Sequence, residues 1–281
     1  MSRSAAAGRD VQAALARIRE ARREVAADRS VLVALSGIDG SGKGYVAARL
    51  AAALEADGLR VAVVNIDGWL NLPHLRFAPF RPAAHFYRHA IRFGPLFARL
   101  VLPLRRSRSA RVEADVAEET ATSYRRHVYE FDDVDVILLE GIFLLKREFR
   151  CLYDLSLWLD CSFETALERA IARGQEGLSA AATSRTYRTI YFPAQRIHLE
   201  RDGPREAADV VIANDPAVAN ALAPASALST FPAAAGKKCA PAPNPAEPDR
   251  IEWGAGPDEA GPPGCRATVT ARIEGGEGAA P

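Results

Sequence analysis

The seven residues Gly37-Ile38-Asp39-Gly40-Ser41-Gly42-Lys43 follow the apolar run Val31–Leu35 and lead straight into an alanine-rich stretch with helical spacing. A buried strand, a glycine-rich turn, a lysine and a helix in that order leave a chain few ways to fold. The glycines let backbone N–H groups converge on phosphate oxygens, and the helix amino terminus adds a partial positive charge. Gly37, Asp39, Gly40, Ser41, Gly42, Lys43 and Gly44 are therefore the expected phosphate-contacting positions, with Lys43 reaching the outer phosphates. The alternative is a strand-to-helix turn without a ligand. One position departs from the motif, which asks for Ser or Thr after the lysine to hold a magnesium ion. Here it is Gly44.

Four further apolar runs, Val61–Ile66, Val136–Leu139, Leu155–Leu159 and Val210–Ala213, alternate with helical segments. Near-continuous apolar strands of this kind predict a parallel sheet covered on both faces, a three-layer α/β phosphate-loop fold. Residues 10–28 place Val11, Leu15, Ile18, Arg22 and Val25 at helical spacing, so residues 1–29 read as a helix leading into the first strand. About seventy residues separate the second strand from the third. That is too long for a plain crossover, and a substrate-holding insertion is expected over about 70–131. The α/β domain then spans 30–215.

After residue 215 the composition changes. Residues 216–281 hold 11 of the 18 prolines and 8 of the 20 glycines. A segment so poor in large apolar residues cannot offset its ordering entropy, and a disordered Pro/Ala/Gly-rich tail is expected. The net charge of +1 gives no global pointer to nucleic acid. Cys151, Cys161, Cys239 and Cys265 have no metal-ligand spacing and fit a reducing cytosol. The amino terminus carries charges throughout, unlike a signal peptide, and no uncharged stretch is long enough to span a bilayer. A cytoplasmic location is expected.

Three groups carry candidate chemistry besides the loop. Asp67, in "VVNIDGWL", falls just past the second strand on the sheet edge where ligands of open parallel sheets bind. It serves either as a base for an attacking hydroxyl or as the first residue of an Asp-Gly turn. Glu140 ends the third strand in "VDVILLEGIFLL" and either orders magnesium, through water, or caps the following turn. Arg169 and Arg173, four apart on one helix face, either clamp phosphates or decorate a surface. Within the insertion, His85, Phe86 and Tyr87 either stack on a flat base or pack the insertion's own core. The run Arg105, Arg106, Arg108 and Arg111 reads as a solvated face or phosphate rim rather than an RNA site.

With the loop, "DGW", "EGIF" and the arginine helix in this order, residues 10–215 resemble the uridine kinase and phosphoribulokinase family, and within it a bacterial uridine kinase-like group. The resemblance implies ATP and Mg2+ as cofactors and phosphorylation of a small-molecule hydroxyl. It assigns Lys43 as the loop lysine, Asp67 as the base, Glu140 as the acidic residue after the third strand and Arg173 as a lid arginine. Arg169 is expected beside the nucleotide, and Asp67 and Glu140 beside the metal. Besides Gly44 there are two departures. Tyr87 stands where uridine kinases show a ribose-holding aspartate after a phenylalanine, and the lid after Arg173 offers only Arg185 and Arg188 as substitutes. Tyr124 and His127 match acceptor-pocket positions loosely. The expected partners are ATP and a nucleoside-like acceptor, with a homo-oligomer allowed and no nucleic acid or membrane. The alternatives are a kinase for a pantothenate-like or sugar acceptor, and a non-catalytic nucleotide-binding regulator.

Overall fold

The five apolar runs become the strands of one parallel sheet. In the computed structural model, which describes residues 3–174 and 177–215 and side chains from residue 10 onward, the strands are β1 (Val31–Gly37), β2 (Val61–Asn65), β3 (Ala110–Val116), β4 (Arg125–Phe131), β5 (Val136–Gly141), β6 (Leu155–Asp160) and β7 (Val210–Ala213). The expected tail, 216–281, lies outside the described residues. The main sheet runs β2-β5-β1-β6-β7 with every neighbouring pair parallel, while β3 and β4 form a separate antiparallel hairpin. β1, β5 and β6 run further than their apolar cores, into the Gly, Glu-Gly and Asp that follow them. β2 stops one residue early. There the Asn65 side chain accepts a hydrogen bond from the Asp67 N–H at 2.6 Å and closes a 3-10 turn over Ile66–Gly68.

The helices are α1 (Arg3–Glu24), α2 (Lys43–Ala56), α3 (Pro73–Arg76), α4 (Pro82–His89), α5 (Phe93–Pro95), α6 (Leu102–Ser107), α7 (Phe163–Arg173), α8 (Ala180–Thr186), α9 (Phe192–Asp202) and α10 (Pro204–Ala207). Single π-helical segments, Leu96–Val101 and Tyr187–Tyr191, join α5 to α6 and α8 to α9. α1 ends at Glu24, four residues before the predicted limit of 28.

Side-chain alternation along the central strand divides the core. Val31, Val33 and Leu35 pack with Val11, Leu15 and Ile18 of α1 and Val46, Leu50 and Leu54 of α2. Leu32 and Ala34 face the opposite way, toward Leu96, Phe97 and Leu100 of the insertion, Ala166 of α7 and Phe192 of α9. The expected three layers are present, and part of the insertion is core rather than substrate wall. Phe86 and Tyr87 are buried in that same layer.

The arginine run belongs to the amino edge of the sheet. Arg105 pairs with Asp154 at 2.7 Å, where Arg29 also binds at 3.0 Å, and Arg108 pairs with Asp133 and Asp135. Asp154 also accepts the Leu32 N–H at 2.8 Å. These arginines are therefore structural clamps, which corrects the expectation of a solvated face or phosphate rim for Arg105 and Arg108. Among the described residues, no helix is long and apolar enough to cross a membrane.

Candidate active site

The sheet is wound outward from β1, with β5 and β2 on one side and β6 and β7 on the other. That opens a crevice beyond the carboxyl end of β1, and the glycine-rich loop fills its floor. The loop turns through left-handed backbone at Gly40 (φ 76°) and Gly42 (φ 91°). A side chain at Gly40 would meet the Ala166 carbonyl at 2.4 Å, so both backbone angle and space demand glycine there. Gly37, the last residue of β1, lies beside Leu159 of β6.

The loop is backed from behind. The Ser41 carbonyl accepts Arg169 Nη1 at 3.1 Å and Asn214 Nδ2 at 2.7 Å, and Arg169 Nη2 donates to the Asn214 carbonyl at 2.9 Å. Arg169, expected beside the nucleotide, thus spends two donors on backbone and braces the loop. Arg173 ends α7 and brings Nη2 to 3.8 Å from Asp39 Oδ1 at the rim. Asp39 itself is held by Tyr187, whose hydroxyl donates to Oδ2, and by the Gly40 N–H, which donates to Oδ1 at 2.8 Å.

Lys43 opens α2, is buried, and donates Nζ to the Ile38 carbonyl at 3.0 Å. It lines a cleft together with Asp39 and Asp67. Asp67 as a residue is exposed in that cleft. Protein packed around the carboxyl nevertheless raises its pKa, and Asp39 adds to the rise, while Lys43 and Arg173 pull it down. Glu140 sits where β5 neighbours both β1 and β2, opposite Leu35 and Asn65. It is 5% exposed, and burial pushes its carboxyl up to about 7 against the attraction of Lys43, with Asp67 and Asp39 reinforcing the rise. Lys43, Asp67 and Glu140 therefore share one electrostatic neighbourhood. A Cβ built on Gly44 would find Glu140 Oε1 as its nearest neighbour at 3.7 Å, an ordinary contact.

The remaining cleft wall is made by Leu70, Arg76, Phe86, Glu119, Ile142, Tyr191 and Gln195. Of these, only Phe86 was singled out in the sequence. Arg76 is buried and donates to the carbonyls of Asn71 (2.7 Å) and Glu119. Tyr87 turns away from the cleft. Its hydroxyl donates to Asp202 at 2.6 Å, Asp202 also binds His198 Nδ1 at 2.7 Å, and Lys146 Nζ lies 4.2 Å above the ring. Tyr87 is a core residue and cannot replace a ribose-holding aspartate. Tyr124 bonds Asn71 at 3.2 Å, and His127 stands edge-on to Tyr129 on the hairpin. Neither lines the cleft, and Arg185 and Arg188 are exposed outside it.

The chain is similar in structure to a possible uridine kinase from Bacillus stearothermophilus, with a TM-score of 0.54 and 20% identity over 70% of this chain and 97% of that one. It also matches a putative fructose transport system kinase from Silicibacter sp. TM1040 (TM-score 0.49, 21% identity, 72% and 97% covered). A third match is phosphoribulokinase from Rhodobacter spheroides (TM-score 0.48, 13% identity, 68% and 72% covered). No family model and no curated protein sequence matches. The first comparison establishes a shared fold, the three-layer phosphate-loop architecture described above.

Proposed function

We propose that the chain is an ATP-dependent small-molecule kinase, uridine kinase-like, that moves the γ-phosphoryl group of ATP to a hydroxyl of a nucleoside-like acceptor. One observation carries the reading: Lys43 and Asp67 line the same cleft at the carboxyl edge of the sheet, with Glu140 buried beside them. In phosphoryl transfer the protein's work is positioning and charge stabilisation. Lys43 compensates the outer phosphates. Asp67 takes the proton of the acceptor hydroxyl as that oxygen bonds to the γ-phosphorus, and the bond to the β-phosphate oxygen breaks to release ADP. Its raised pKa makes it a better proton acceptor, while Lys43 and Arg173 favour the ionised form it needs. Phe86 and Tyr191, with ring centres 4.9 Å apart, give the acceptor side an aromatic wall.

Among the described residues, no group of three or more His, Cys, Asp or Glu side chains gathers as a metal site. Asp67 and Glu140 are hard oxygen donors, a pair that suits magnesium arriving on a phosphate chain, since that ion commonly takes one or two carboxylates plus phosphates and water. When bound, magnesium would neutralise charge on the phosphates. Gly44 removes the usual hydroxyl donor but leaves room for one beside Glu140. Gly44→Ser is expected to lower the magnesium concentration for half-maximal rate about tenfold, the scale of a hydrogen bond to a charged group. ADP production against magnesium concentration measures it, and an unchanged dependence refutes a shared role for residue 44 and Glu140.

The function itself is tested by ADP release with ATP, magnesium and a panel of nucleosides, pantothenate, sugars and hydroxy acids. Turnover that depends on one of these hydroxyl compounds is the expected result. ATP binding without turnover at any magnesium level, with turnover restored in Gly44→Ser, would make the chain a nucleotide-binding regulator instead.

A further inference from the structure

Gln195 lies on α9, lines the cleft and is 2% exposed. Its Oε1 accepts the Asp39 N–H at 3.2 Å. That contact settles which way the amide faces, because the flipped amide would set two donors against each other. The amide nitrogen is then buried with no hydrogen-bond partner among the described residues. A buried donor left unpaired is costly, and native proteins keep few of them. Nε2 belongs to a residue that lines the cleft together with Lys43, Asp67 and Tyr191.

From this we infer that Gln195 is a substrate-binding residue whose Nε2 donates to an oxygen of the phosphate acceptor. The inference rests on the kinase reading and narrows its substrate class. The acceptor carries, near the hydroxyl to be phosphorylated, a second oxygen able to accept a hydrogen bond: a carbonyl, a carboxylate or another hydroxyl. The acceptor is favoured over the nucleotide because the loop-facing end of the amide is already used on Asp39. Tyr191 lies one helical turn before Gln195 and packs on Phe86, so the two side chains share the face that forms the acceptor wall. One amide thus joins the phosphate loop to the place where the acceptor sits.

The test uses the full chain and two variants. Gln195→Glu keeps an oxygen for the Asp39 N–H and replaces the unpaired donor by an acceptor; Gln195→Leu removes both ends. Magnesium–ATP affinity is measured by equilibrium titration, melting by calorimetry, and kcat and KM with the best acceptor from the ADP-release panel. We expect kcat/KM for the acceptor lowered about a hundredfold or more in both variants, well beyond any fall in ATP affinity, as when a site built to pair a substrate oxygen loses its partner. An acceptor analogue lacking the second oxygen should lose that same factor with the parent and little with Gln195→Leu, a difference that a merely structural role would not produce. Unchanged acceptor kcat/KM in both variants overturns the inference. So does a parallel fall in ATP affinity, which would give Nε2 to the phosphoryl group, or loss of cooperative melting in both variants, which would give the amide to folding. A parent that turns over with unaffected variants overturns this inference alone, whereas a parent inert with the whole panel overturns the kinase reading and this with it.

Discussion

Replacing Lys43 by alanine is expected to lower acceptor phosphorylation by about 10³-fold or more, beyond the usual loss of one charge-stabilising donor. The amine is buried at the base of the loop and held by the Ile38 carbonyl, which fixes its positive charge at the helix start. Its loss has a second effect. Lys43 lowers the pKa of both Asp67 and Glu140, so its removal raises both. The residual activity requires ionised Asp67, and the acidic limb of its pH profile should therefore move to higher pH. Rate measurements across pH 5–9 with nucleotide titrations check both parts. Unchanged ATP affinity and turnover would sink the phosphate-loop reading.

Glu140→Gln is expected to stabilise the protein at pH 8 while slowing turnover sharply and raising its magnesium requirement. The sign follows from the carboxyl's pKa, pushed up by burial to about 7 in the folded chain from the ordinary glutamate value of 4.5. Below pH 4.5 the group is protonated in both folded and unfolded chains and costs nothing. As pH rises through 4.5 the unfolded chain ionises freely while the folded chain resists, so stability falls until the folded group also ionises near 7. The accumulated cost is roughly 3 kcal/mol, since each pKa unit is worth about 1.4 kcal/mol. Glutamine removes the charge but leaves a buried amide to satisfy. A gain of about 5 °C in Tm at pH 8 is a reasonable expectation. It should shrink progressively as pH falls from 7 to 4.5. A Tm difference independent of pH would show that Glu140 is not the buried acid it is taken to be.

The sheet was legible because each of its strands is an apolar run, and the three central ones are buried on both faces. The loop was legible because Gly40 and Gly42 need left-handed backbone, and a lysine at the following helix start has few other uses. Asp67 and Glu140 could be placed at one edge once the strands were known to be parallel, since strand ends then share a side. The acceptor wall was not legible. Arg76, Glu119 and the Tyr191–Gln195 pair come from three separate segments, and no periodicity links the three. Gln195 reads in sequence as a polar residue on an ordinary helix, and its importance lies in one amide nitrogen with nothing to bind. Of the two uses open to Phe86 and Tyr87, Tyr87 takes the core one: residues 86 and 87 are adjacent, but on a helix neighbours point about 100° apart, and only Phe86 reaches the cleft. The antiparallel hairpin β3–β4 passed unnoticed because its outward residues are mostly charged and its inward ones few.

The brace behind the loop sets where this chain can be cut. Asn214 grips the Ser41 carbonyl, and Asp215 takes the Ser162 N–H at 2.7 Å and the Thr165 hydroxyl at 3.1 Å, pinning the start of the helix that carries Arg169. Both residues follow the last strand, and the Asn214 N–H still donates to the Asp160 carbonyl at the end of β6 at 2.9 Å. A version ending at Ala213 would keep all five parallel strands and both apolar layers, yet release the loop and the helix behind it together. Such a protein would be folded by any spectroscopic measure and slack at the one place where phosphate must be held still. The folding unit closes at 213, but the working unit closes two residues later.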